Sequence, residues 1–122
     1  MFEVKIITNF SAAHFLREYK GKCESLHGHN WKVEVAAVSD KLDSQGMVID
    51  FSDLKKSVNK VLDSLDHKLI NDIDFFKQNN PSSENIARYI FEQVQSLAAV
   101  SDYSLSRVRV WETDTSCATY SQ

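Results

Sequence analysis

Three of the four histidines obey one geometric rule. His27 and His29 stand two apart in a stretch of alternating polarity, so on a strand both imidazoles project from one face. His14 ends the apolar face of an earlier alternating stretch. If the two stretches pair as strands, the three rings meet at the same end of the sheet. Three neutral imidazoles with a fourth position open are the donor set of a catalytic zinc site, where water or substrate fills the gap. The plainer alternative is separate histidines packed at a sheet edge, and the coincidence of faces argues against it.

Cys23 lies four residues before His27 in Lys22-Cys23-Glu24-Ser25-Leu26-His27-Gly28-His29. It is either the fourth ligand of a closed Cys/His3 structural site or an unbound thiolate poised beside the metal as a base. A nearby cation lowers its pKa in both cases, and spacing alone leaves both open. His67 follows Asp66, a carboxylate able to fix an imidazole's tautomer, although adjacent residues seldom bond each other directly. The alternative for His67 is an exposed histidine at a helix C-terminus. Glu112 shares an apolar face with Val108 and Val110. Burying a carboxylate without partners is costly. It either reaches solvent at the strand end or accepts two N–H bonds from a guanidine-like heterocycle edge.

These side chains need elements to hold them. Val4, Ile6, Thr8, Phe10, Ala12 and His14 alternate on one face of a first strand, and His27, His29, Trp31, Val33, Val35 and Ala37 on one face of a second. Phe15 to Leu26 between them is a polar loop, and Ser39 to Gly46 is turn-like. From Phe51 the period becomes helical, with Leu54, Val58, Val61, Leu62 and Leu65 on one side and Asp50 or Ser52 as N-cap. A second helix follows Pro81, with Ser82 or Ser83 as cap and Ile86, Ile90, Val94 and Leu97 as its stripe. Ser104 to Glu112 alternates again, and a short strand near Cys117 to Tyr120 ends the chain. The order strand-strand-helix-helix-strand-strand predicts an α+β domain, a four-stranded antiparallel sheet with two helices on one face. Its open edges favour assembly with further copies.

The 122 residues suit a single domain, 1–122, able to bury a core unaided. A net charge of −3 gives no basic excess of the kind that marks a general nucleic-acid binder. No apolar run approaches a membrane span, and Glu3 and Lys5 interrupt what would be the apolar core of a signal peptide. Two cysteines are too few for a disulfide framework, so the expected compartment is the reducing cytoplasm.

The motifs together resemble the 6-pyruvoyltetrahydropterin synthase / 6-carboxytetrahydropterin synthase family over essentially the whole chain. The matching pieces are Phe10-Ser11-Ala12-Ala13-His14, Cys23-x-x-x-His27-Gly28-His29, Val48-Ile49-Asp50-Phe51, Leu65-Asp66-His67, Pro81-Ser82-Ser83-Glu84-Asn85 and Trp111-Glu112-Thr113. The resemblance implies the tunnelling fold and a homohexamer built from two trimers, with active sites at subunit interfaces. It implies Zn2+ on His14, His27 and His29, and Cys23 as catalytic base with Asp66 and His67 as a proton relay. Glu112, with Thr113 beside it, would anchor the pterin ring, and Ser82, Ser83 and Glu84 would come from a neighbouring subunit. Thr is usual in the family where Ser82 or Ser83 stands. The implied substrate is 7,8-dihydroneopterin triphosphate. The short Cys-to-His gap is similar to that of the bacterial 6-carboxytetrahydropterin synthases of queuosine biosynthesis, a cytoplasmic lyase branch; the 6-pyruvoyl enzymes generally have a longer one. A non-catalytic zinc-stabilised pterin-binding module is the reading from another class, and it would not need Cys23, Asp66 and His67 together. Lys22, Lys68, Arg107 and Arg109 are candidate triphosphate contacts.

Overall fold

A computed structural model describes residues 1–98 and 103–122. The alternating stretches form strands β1, Phe2–His14, and β2, His27–Ser39. Helix α1 spans Phe51–Leu62, a 3-10 turn Ile70–Asp72, helix α2 Asp74–Gln78 and helix α3 Ser83–Leu97. Strands β3, Ser104–Thr113, and β4, Ser116–Ser121, complete one antiparallel sheet in the order β1-β2-β3-β4. The order predicted from the sequence holds, with the 3-10 turn and α2 added between the two long helices.

Asp50 caps α1 by accepting a bond from the Ser52 N–H at 2.7 Å, and Ser82 caps α3 by accepting from the Asn85 N–H at 3.2 Å. Of the paired alternatives, Asp50 and Ser82 are therefore the caps. Leu65 falls beyond the end of α1, yet it is fully buried in the turns that follow. Leu97 departs from its expected place on the buried stripe. It is 45% exposed as the last residue of α3, and the next residue, Ala98, is buried instead. The stripe of α3 is Ile86, Ala87, Ile90, Phe91 and Val94.

The core lies between the helices and one sheet face, where Phe10, Trp31, Val33, Val35, Val108 and Val110 meet Leu54, Val58, Ile86, Ile90 and Val94. Each fully buried side chain of this size contributes about 1.5–3 kcal/mol relative to exposure. Because β1 and β2 pair without a slip, Phe10 faces Trp31, Ala12 faces His29 and His14 faces His27. A one-residue slip would move every imidazole to the other face, so the apolar alternation that fixes the core also fixes the histidines. The register of β3 against β4 shifts between Trp111 and Thr113, leaving Glu112 outside the pairing. Bulges of this kind re-aim a side chain. Among the described residues no helix is long and apolar enough to cross a membrane.

Candidate metal centre

His14, His27, His29 and Glu112 converge at the β1–β2 end of the sheet, one ligand atom from each lying within 4.8 Å of all the others. His14 is buried at 2% exposure, while the other three are half-buried. Two of the rings are oriented by main-chain carbonyls. His14 Nδ1 donates to Pro81 O and His27 Nδ1 to Ser25 O, each at 2.7 Å. A carbonyl oxygen only accepts, so Nδ1 carries the hydrogen and Nε2 of each ring presents a lone pair. Those two Nε2 atoms lie 3.1 Å apart. Glu112 Oε1 lies 3.1 Å from His14 Nε2 and 3.0 Å from His29 Nε2. His29 Nε2 is itself buried and faces the Glu112 carboxylate. Trp31 packs its ring edge-on against His14 and His29 at 4.9 and 5.1 Å, closing the inner side.

With Nδ1 carrying the hydrogen, the His14 and His27 Nε2 atoms repel each other and Glu112 Oε1 repels His14 Nε2, and a cation at their centre reverses the sign of those contacts. The residues therefore fit a divalent metal, and three imidazole nitrogens with an oxygen suit a borderline ion better than a hard one. Burial holds the His29 imidazole below the ordinary histidine range; Glu112 opposes this, and His27 and His14 add to the lowering. A neutral ring is the ligating form.

Sequence reasoning placed the three histidines together and read Glu112 as either reaching solvent at the strand end or anchoring a heterocycle edge. In this structure its carboxylate rests on the imidazoles, a placement implicit in the face it shares with Val108 and Val110. The orienting carbonyls of Pro81 and Ser25 carried no sequence signal, because any residue supplies a carbonyl. Cys23 is exposed on the loop between β1 and β2 and lies outside the convergent group of ligand atoms.

Asp66 and His67 do bond each other, with His67 Nδ1 2.8 Å from Asp66 Oδ2. His67 has a positive φ of 58°, which turns the ring back toward the preceding carboxylate. The pair docks on the free edge of β1. Ser11 N–H donates to Asp66 Oδ1 at 2.8 Å and His67 N–H to Ser11 O at 2.6 Å. His67 remains 81% exposed and, with Lys68, lines an open cleft of about 440 Å³ beside Ser11, Ala13 and Asn30. Among the described residues no hydrogen bond or ion pair joins Asp66 or His67 to the imidazoles or to Cys23. Ser82 and Ser83 are half-buried and Glu84 is exposed at the start of α3, while Thr113 is exposed after Glu112. The candidate phosphate cations are largely committed elsewhere. Arg107 pairs with Glu3, Arg109 with Thr119 and Glu34, and Lys68 with the Asp63 carbonyl.

The Ser11 N–H and His67 hold the Asp66 carboxyl below its usual value. A depressed folded-state pKa stabilises the docked turn above the unfolded value, about 3.9, and the effect is lost as pH falls through the folded value. Asp66→Asn is therefore expected to unfold at a lower temperature than the parent at pH 7. The gap should close below about pH 4, which thermal melts across that range measure.

The fold and site define a tunnelling-fold domain, a four-stranded antiparallel sheet with its helices inserted between β2 and β3 and a histidine-carboxylate centre at one end. The chain belongs to the 6-pyruvoyl tetrahydropterin synthase family, which it matches over residues 3–122. It is 43% identical over 111 residues to a putative 6-carboxy-5,6,7,8-tetrahydropterin synthase of Archaeoglobus fulgidus, covering 91% of this chain and 88% of the relative. It is 35% identical to the 6-carboxy-5,6,7,8-tetrahydropterin synthase of Haemophilus influenzae over the full length of both. A putative 6-pyruvoyl tetrahydrobiopterin synthase of Caenorhabditis elegans is 38% identical over 98% of each chain. The solved 6-pyruvoyl tetrahydropterin synthase of C. elegans superposes with a TM-score of 0.84 at 31% identity, covering 99% of this chain and 95% of that one.

Proposed function

We propose that the chain is a zinc-dependent carbon-carbon lyase. It would convert 7,8-dihydroneopterin triphosphate and water to 6-carboxy-5,6,7,8-tetrahydropterin with release of acetaldehyde and triphosphate, in the queuosine branch of 7-deazapurine biosynthesis. The observation that carries the reading is the cluster of three imidazole nitrogens and a carboxylate oxygen within 4.8 Å, with the His14 and His27 lone pairs turned inward. The names of the A. fulgidus and H. influenzae relatives support the carboxy product, as does the short Cys23-to-His27 gap. The C. elegans relative supports the second reading, in which the same substrate loses triphosphate to give the 6-pyruvoyl product.

His14, His27 and His29 would hold the zinc, which when bound supplies Lewis acidity to side-chain hydroxyl oxygens of the substrate. Cys23, exposed and outside the convergent donors, would be the base that takes the side-chain proton as a thiolate. The Asp66 carboxylate fixes His67 Nδ1–H, leaving Nε2 to accept and return protons. Glu112 swings from the imidazoles to accept the two N–H bonds of the amino-pyrimidinone edge, with Thr113 beside it. Among the described residues no hydrogen bond or ion pair joins His67 to Cys23, and β1 and β4 are the edge strands of the sheet. These features support a homohexamer in which Ser82, Ser83, Glu84 and the Asp66–His67 pair serve a neighbouring copy's site. Such an enzyme would work in the cytoplasm.

The test is incubation of the zinc-loaded protein with dihydroneopterin triphosphate and identification of products by mass. Carboxytetrahydropterin with acetaldehyde is expected. Pyruvoyltetrahydropterin as the main product would assign the second branch, and no turnover with zinc and fold intact would leave only a pterin-binding module.

A further inference from the structure

Cys23 sits on the loop that leaves β1 at His14 and re-enters the sheet at His27. The first three residues of that loop, Phe15 to Arg17, belong to no strand, yet all six of their main-chain polar groups are bonded. Phe15 N–H donates to Asn71 Oδ1 at 3.0 Å, and Asn71 Nδ2 donates back to the Phe15 carbonyl at 2.9 Å. Arg17 N–H donates to Asn80 Oδ1 at 2.8 Å, and Asn80 Nδ2 donates to the Arg17 carbonyl at 3.1 Å. Leu16, between them, bonds Glu24. Its N–H donates to the Glu24 carboxylate at 3.2 Å and its carbonyl accepts from the Glu24 N–H at 2.8 Å.

This is the alternation of a central strand, with two carboxamides standing in for one neighbour and Glu24 for the other. Glu24 is the residue after Cys23. Asn80 is itself fixed, its carbonyl accepting from Asn85 Nδ2 at 2.9 Å and from Ser82 N–H at 2.8 Å. The next carbonyl along, Pro81 O, is the one that orients His14. One turn thus holds both a metal-site imidazole and the root of the Cys23 loop.

We propose that Asn71 and Asn80 are positioning residues for the reaction, an amide clamp that keeps the Cys23 loop in register with His14. The inference rests on Cys23 being the base. Neither asparagine touches the metal cluster, and each bonds the loop only through its main chain.

Asn80→Ala is the variant of choice because Asn80 is half-buried. Asn71 is 6% exposed, and Asn71→Ala would strand buried polar groups and endanger folding. Asn79→Ala is the control, losing a 2.9 Å bond to the Phe75 carbonyl that does not touch the loop. Amide hydrogen exchange of residues 15–24, and kcat and KM with dihydroneopterin triphosphate, are measured on the metal-loaded protein. In Asn80→Ala, exchange of the loop root is expected to quicken about tenfold or more with the strands unchanged. Its kcat should fall about tenfold or more at an unchanged KM, and Asn79→Ala should alter neither. Unchanged exchange would overturn the clamp, and faster exchange with parental kcat would overturn its role in positioning. A parent protein that does not turn this substrate over would refute the reading of Cys23, and the exchange result then decides the clamp by itself.

Discussion

Cys23→Ala is expected to lower turnover by about 10²- to 10⁴-fold, the usual worth of a positioned acid-base group, while metal content and melting temperature stay where they are. The thiol is exposed and lies outside the convergent donors, so its removal opens no cavity and deletes no ligand. Surface changes of that kind move stability by no more than about 0.5 kcal/mol. Steady-state kinetics beside metal analysis of the same preparation check both halves. A variant that loses its metal together with its activity would mean that Cys23 closes a structural site.

Removing the metal is expected to produce the largest stability change. In the metal-free chain, the inward Nε2 atoms of His14 and His27 and the Glu112 carboxylate crowd one another beside His29 in a half-buried site. A ligand held at about a thousand times its Kd stabilises the folded state by about 4 kcal/mol. At about 4 °C per kcal/mol for a chain of this size, chelation should lower the melting temperature by about 16 °C and abolish turnover. His29→Ala should bind little metal, and its melting temperature should ignore the chelator. Calorimetry with and without chelator decides this, and a parental midpoint indifferent to chelation would sink the metal reading.

Features that depend on a period were legible in the sequence. Alternating polarity from Val4 to His14 and from His27 to Ala37 fixed the faces, and the faces brought His14, His27 and His29 together. The long helices were legible for the same reason. Helix α2 was not, because five residues show too little of a 3.6-residue period, and Phe76 is its one fully buried anchor. The direct Asp66–His67 bond depends on a left-handed backbone at His67, which no residue type there announces. Glu112 shares its face with Val108 and Val110, but nothing in a single sequence says that this face ends against the histidines of β1 and β2. Long-range partners through main-chain atoms were least visible. Asn71 and Asn80 bond backbone 56 and 63 residues away, and Pro81 orients His14 through a carbonyl that any residue would supply.

The most direct test of the central claim, an open zinc centre of three histidines with Cys23 free beside it, is X-ray absorption at the zinc edge of the purified protein. The account predicts only nitrogen and oxygen scatterers near the metal, at about 2.0–2.2 Å. A sulfur shell at about 2.3 Å would place Cys23 on the zinc, close the fourth position and contradict the catalytic assignment.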